Sequence, residues 1–159
     1  MSMMKNTIFF CLLLLAFSSC KKDKFTTAPQ ITFKSFKPNA YFSNSTADPI
    51  NGPVMLLQLT DAEGDFGFTD GKDTSYIYVK NITVPPYKLD SMKFPDLSNA
   101  TTKDLNVELS VRLSTVLAKT IRPNRPYTDS LRFEVYVKDF AKNKSNVLVT
   151  PEPFYYITP

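Results

Sequence analysis

The sequence predicts an all-β domain, and three observations carry that expectation. Two runs alternate apolar and polar residues with period two. Turn-forming Pro, Asn and Asp separate the short apolar segments, and twelve prolines are scattered through the 159 residues, too many for a helical protein. Short strands spaced in this way suggest a sandwich or a barrel.

The clearest strand covers 105–113. Leu105, Val107, Leu109, Val111 and Leu113 alternate with Asn106, Glu108, Ser110 and Arg112. The next covers 131–137, where Leu131, Phe133, Val135 and Val137 alternate with Arg132, Glu134 and Tyr136. Such runs put one face on a core and the other in water, whereas a helix would repeat its apolar residues every three or four positions. Weaker strands are expected at 30–36, 54–60, 76–80, 146–150 and 154–158, which makes about seven in all. The stretches 37–53 and 85–102 are long polar connections, each with room for an edge strand.

Composition narrows the chemistry. The 43% hydrophobic content supplies a real core, and the net charge of +4 falls to +3 without Lys5, so nothing points to a nucleic-acid surface. The chain has no His, the commonest general base and transition-metal ligand, and no Trp. Its two cysteines are Cys11 and Cys20, so the body has no disulfide, zinc–thiolate cluster or Cys nucleophile.

Residues 1–19 read as an export leader. Lys5 is its positive start, and 8–17 (IFFCLLLLAF) is an apolar run too short to span a bilayer. Phe17-Ser18-Ser19-Cys20 resembles the lipobox of bacterial lipoprotein precursors, with Phe17 where Leu is usual and Ser19 where Gly or Ala is usual. The resemblance, closest to small Bacteroidota-type outer-membrane lipoproteins, implies cleavage before Cys20 and lipid on its thiol. Two or three acyl chains hold a protein stably at a membrane. The alternative is ordinary secretion, with cleavage near Ala16-Phe17-Ser18 and Cys20 a free thiol. Residues 20–29 read as a lipidated Cys and tether. Lys21, where lipoproteins retained at the inner membrane often carry Asp, points to the outer membrane.

Near the C-terminus, Asp139-Phe140-Ala141-Lys142-Asn143-Lys144-Ser145 resembles the D-x-A-G-N-x-S turn between the last two strands of bacterial immunoglobulin-like domains, with Lys142 replacing the family's Gly. The resemblance implies that 30–159 form an immunoglobulin-like antiparallel β-sandwich. Fold alone does not specify function.

The chemically suggestive segment is 61–73 (DAEGDFGFTDGKD), which holds five of the fifteen acidic residues and three of the four glycines. Asp61, Glu63 and Asp65 alternate, and with Asp70 and Asp73 they form a candidate Ca²⁺ ligand set, because calcium takes several oxygens in flexible geometry. Two like charges ~4 Å apart cost about 4 kcal/mol at an effective dielectric of 20, so converging carboxylates call for a cation. An EF-hand is excluded: counting from Asp61, its sixth place is Phe66 and its twelfth Lys72. The segment resembles the D-x-D-G-D-x-G loop of Bacteroidota-type lipoproteins, with Glu63 in place of Asp. A solvated loop in which Gly supplies positive φ and Asp caps turns accounts for the same composition. Lys72 or Lys80 could neutralise part of the charge.

Tyr87 and Tyr127 follow prolines and are weaker ligand-binding candidates, as aromatic faces for a sugar or a protein. Asp90-Ser91-Met92 and Asp129-Ser130-Leu131 resemble short O-glycosylation sites of the same bacterial group. Enzymatic readings fare poorly: there is no His base for a Ser nucleophile, no G-x-S-x-G, no phosphate loop and no pair of carboxylates placed for glycoside hydrolysis. The sequence therefore points to a non-catalytic, lipid-anchored envelope module for binding, adhesion or accessory work, its partner another envelope protein or a glycan. The alternatives are a carbohydrate-binding accessory protein of a glycan uptake or degradation system and, behind it, a small hydrolase.

Overall fold

Met55, Leu57, Leu59 and Asp61 stand two apart, all fully buried, on the inward face of one strand. Phe133, Val135, Val137 and Asp139 repeat the pattern on the inward face of another. These two stripes organise the molecule. The computed structural model describes residues 26–43, 52–67, 74–95 and 103–159. The leader and Cys20 lie outside them, as do Asp70, Lys72 and Asp73 of the acidic segment.

The described residues are all-β, with ten strands in three sheets. The strands are β1 (Gln30–Lys37), β2 (Ala40–Phe42), β3 (Val54–Asp61), β4 (Tyr76–Asn81), β5 (Leu89–Lys93), β6 (Leu105–Arg112), β7 (Tyr127–Leu131), β8 (Phe133–Lys138), β9 (Leu148–Val149) and β10 (Phe154–Thr158). One sheet has the order β1-β3-β6, the second β2-β10-β7 and the third β5-β4-β8-β9. Their inner faces share one core, with Phe36 in edge contact with both Phe133 and Phe154 where the sheets meet.

Ten strands replace the expected seven for two physical reasons. The polar connections hold edge strands, β2 and β5, each hydrogen-bonded on one side only. The run 131–137 is also not one strand: it changes sheets at Arg132, so Leu131 pairs with Phe154 while Glu134 pairs with Val149. On the partner side Pro151 and Pro153 have no N–H to continue a ladder. Side chains close the gap. Arg132 donates to the carbonyls of Thr150 and Pro151, Thr150 Oγ1 accepts from the Phe133 N–H, and Thr83 Oγ1 accepts from the Arg132 N–H.

β1 has a bulge between Phe33 and Ser35, which brings Ile31 and Phe36, an odd number of steps apart, both onto the core side. That shift in phase makes its alternation weak in the sequence. Asn146 then ties β1 to the segment before β9: its side-chain amide accepts from the Ile31 N–H at 2.8 Å and donates to the Ile31 carbonyl at 3.0 Å.

The antiparallel pairings define two ends. At one, Gln30 pairs with Thr60, Asp61 with Leu105 and Tyr76 with Lys138. Thr26 reaches this end as well, its carbonyl accepting from the Ala62 N–H at 3.1 Å. At the other, Val54 pairs with Arg112, and the Asn81 side chain donates to the Val116 carbonyl. The loops 82–88 and 113–126 belong to that second end.

Candidate functional site

Inward-facing positions at the last residue of β3 and the first beyond β8 would ordinarily be apolar. The chain puts aspartates there. Asp61 and Asp139 are both fully buried, and Asp65 is half-buried between them and solvent.

Each of the three carboxylates spends one oxygen on a backbone N–H. Asp61 Oδ2 accepts from Gly64 at 2.6 Å, Asp65 Oδ2 from Ala141 at 3.3 Å and Asp139 Oδ1 from Asn143 at 2.7 Å. The Asp65 carbonyl also accepts from the Phe140 N–H at 3.0 Å, so the loop after β3 is sewn to the turn after β8. The remaining oxygens, Asp61 Oδ1, Asp65 Oδ1 and Asp139 Oδ2, are buried and have no partner. Leaving a buried polar atom unmade costs about 1–3 kcal/mol, more when it is charged.

Electrostatics follow the geometry. Burial, above all, pushes the Asp61 carboxyl from its ordinary 3.8 up to about 6, with Asp65, Asp139 and Glu63 adding to the rise against the Gly64 hydrogen bond. Asp65 is also raised, first by burial and then by Asp139. Neither the Lys34–Glu108 nor the Arg122–Asp129 ion pair involves these groups, and the Lys142 ammonium is spent on the Thr74 carbonyl at 3.3 Å. Lys80 lies toward the opposite end of β4, paired with Glu134 and Leu89, so it is not the neutralising partner.

Local sequence explains the two loops. Gly64 and Gly67 hold φ of 64° and 131°, conformations that glycine reaches without strain. In the other turn Lys142 sits at φ 69°, in the left-handed region, with a side chain in place of the hydrogen that glycine would carry. The Ser145 hydroxyl accepts from the Val137 N–H and completes that turn.

Of the five acidic residues expected from the sequence, Asp61 and Asp65 come together, Glu63 is exposed, and Asp70 and Asp73 lie outside the described residues. Asp139 is the member the reading of that loop missed. Its signal was present: it continues the Phe133, Val135, Val137 stripe as Asp61 continues Met55, Leu57, Leu59. Among the described residues, no three His, Cys, Asp or Glu side chains are grouped so that they could hold a metal ion.

The tyrosine candidates lie at the opposite end. Tyr87 is half exposed in the 82–88 loop at φ 54°. Tyr127 is engaged: its hydroxyl donates to the Thr120 carbonyl at 2.5 Å and Arg122 covers its ring at 5.1 Å. Phe42, Leu89 and Ile121 also expose apolar side chains near this end, Ile121 almost completely at 96%. On the outer sheet face Tyr78 stacks on Tyr136 at 4.7 Å, Tyr76 adjoins Tyr78, and Lys144 caps Tyr136 at 4.0 Å. This ladder was legible as Tyr76 and Tyr78 alternating with Ile77 and Val79, but its ring faces are largely taken by one another and by lysines. Ser91 and Ser130 both face outward on strands.

Compared with known proteins, the chain matches no protein-family model, no curated protein and no solved structure.

Proposed function

We propose that the chain is a non-catalytic, lipid-anchored module of the bacterial cell envelope, held at the outer membrane through Cys20 and presenting a binding or adhesion face. The lipobox resemblance of Phe17-Ser18-Ser19-Cys20 supports the anchor, and the position of Thr26, hydrogen-bonded beside Ala62 at the acidic end, supports the orientation. Six residue steps separate Thr26 from Cys20, a reach of at most about 20 Å. An anchor at Cys20 therefore puts the acidic end next to the lipid and turns the loops bearing Tyr87 and Ile121 outward.

The body is read as an immunoglobulin-like sandwich. The orders β1-β3-β6 and β5-β4-β8-β9, the single core and the Asp139–Ser145 turn support this assignment. A catalytic role finds little support, because the raised carboxyl of Asp61 is enclosed in the fold rather than set across a cleft from a second acid.

Mass spectrometry of the processed protein is expected to find diacylglycerol on an N-terminal Cys20. An unmodified amino terminus at another residue sinks the anchoring. On intact cells, photo-crosslinkers at Tyr87 and Ile121 should capture a discrete partner that one at Lys103, on the acidic end, does not. Equal capture from both ends overturns the orientation.

A carbohydrate ligand is the second reading, favoured by the half-exposed Tyr87. Binding on a glycan array that disappears in Tyr87→Ala selects it.

A further inference from the structure

We propose that β6 offers its free edge to β6 of a second copy of this chain, joining two β1-β3-β6 sheets into one antiparallel sheet about a two-fold axis at Ser110. The pairing belongs to the folded body. It is independent of lipid at Cys20 and of any partner bound by the loops at the far end.

A strand at a sheet edge leaves a row of N–H and C=O groups unpaired, and proteins blunt such edges by shortening, bulging or covering them. Among the described residues the three sheets have six edge strands. β2 and β9 have only three and two residues, and β5 and β7 have five each. β1 has eight, but the bulge between Phe33 and Ser35 breaks its row, and the Asn146 side chain takes both the N–H and the carbonyl of Ile31. The exception is β6. It has eight residues in unbroken register with β3, contains no Pro, Gly or Lys, and has no other strand beside it among the described residues.

The side chains make this edge complementary to itself. A two-fold pairing of one edge with its copy is antiparallel, and it keeps core-facing residues opposite core-facing residues only when the axis passes through a residue. Centred on Ser110, it sets Glu108 opposite Arg112 on both sides of the axis, two opposite-charge pairs at exposed positions of the outer face. Centred on Glu108, it sets like charges face to face. Centred on Leu109 or Val111, it gives both charges only Ser or Asn to face.

The inner face agrees with the same choice. Leu109 comes opposite Val111, and Val107, only half-buried in one copy, comes opposite Leu113. Lys34 approaches one carboxylate oxygen of Glu108 at 3.2 Å in an exposed pair, which leaves the other oxygen for Arg112 of the second copy.

β6 runs from the acidic end to the far end, so the pairing lays the Leu105 end of one copy beside the Arg112 end of the other. The two Thr26 segments then point in opposite directions. Where both copies carry lipid, a step that rests on the anchor proposed above, the contact joins molecules on facing surfaces.

The test uses the processed full chain in detergent. A single strand pair is small beside a standard interface, so sedimentation velocity is expected to show a monomer–dimer equilibrium with a dissociation constant of about 10–100 µM. Glu108→Arg and Arg112→Glu, at exposed positions, should each weaken it about tenfold, and the two together should restore it because opposite charges again face each other. Ser110→Cys should be joined to its copy by a short thiol crosslinker. Asn106→Cys should not, since the same register holds residue 106 about 25 Å from its own copy. If Cys20 proves unacylated, the crosslinking is run with Cys20→Ser added, so the pairing and the anchor fail separately. A monomer throughout that concentration range overturns the proposal. So does an association indifferent to both charge reversals, or a dimer that Ser110→Cys does not trap.

Discussion

Among the described residues, aspartate side chains are buried in two places and treated in opposite ways. Asp129, on the inward side of β7, is almost fully buried and richly served. The Thr120 N–H and hydroxyl donate to it at 2.9 and 2.6 Å, and the Arg122 guanidinium at 2.9 Å. At the other end Asp61 and Asp139 are equally buried, but each leaves an oxygen orphaned and faces other acids. Asp129 draws the 114–126 loop down onto the sheet with partners the chain itself supplies. The acidic cluster lacks that provision, so Asp129 acts as a fastener while the cluster holds its carboxylates at a cost.

The comparison breaks most visibly if Asp129 proves dispensable. Asp129→Asn puts an NH₂ group where only acceptors fit, against three donors. Arg122 is half exposed, so its ion pair is discounted, and the expected loss is about 2–3 kcal/mol, mainly from the Thr120 hydrogen bonds. Urea unfolding measures it.

A smaller effect with a distinctive sign is expected from pH. Between 3.8 and about 6 the folded protein keeps a proton on Asp61 that the unfolded chain has lost. The Asp61 contribution is therefore fully present below pH 3.8 and is lost as pH rises through 6. It amounts to about 3 kcal/mol, the rise from 3.8 to about 6 taken at about 1.36 kcal/mol per pKa unit. The difference between the unaltered protein and Asp61→Asn, followed from pH 4 to 7, isolates this share from other carboxylates. A flat difference would mean that Asp61 is not perturbed.

At pH 7, Asp61→Asn is expected to stabilise the fold by about 1 kcal/mol, opposite in sign to Asp129→Asn. It keeps an acceptor for the Gly64 N–H while removing one of the crowded charges. Chemical denaturation of the two variants side by side makes the contrast direct, and two losses of equal sign would erase it.

The smallest effect concerns the turn that carries Asp139. Lys142→Gly relieves a left-handed residue at the cost of its bond to Thr74 and added freedom in the unfolded chain. A net gain of about 0.5 kcal/mol is expected from chemical denaturation.

Much of this architecture is written locally. Side chains alternate across a strand wherever it lies, so the core stripes through 105–113 and 131–137 are visible in the sequence, and the predicted residues Leu105, Leu109, Val111, Leu113, Leu131, Phe133, Val135 and Val137 are all buried. β2 and β5 were less visible because an edge strand with little burial has little alternation to show. The division of 131–137 between two sheets could not be seen, since its two halves face the core in the same phase.

The acidic site divides along the same line. Period two alone marks Asp61 and Asp139 as acids in core-facing positions, and glycine spacing marks the loop that follows Asp61. Only the tertiary structure makes them neighbours. Strand pairing joins residues far apart along the chain, and no local period encodes which two stripes end side by side. It likewise decided that the tyrosines and the acidic loop occupy opposite ends, because each antiparallel strand reverses the direction of the one before it.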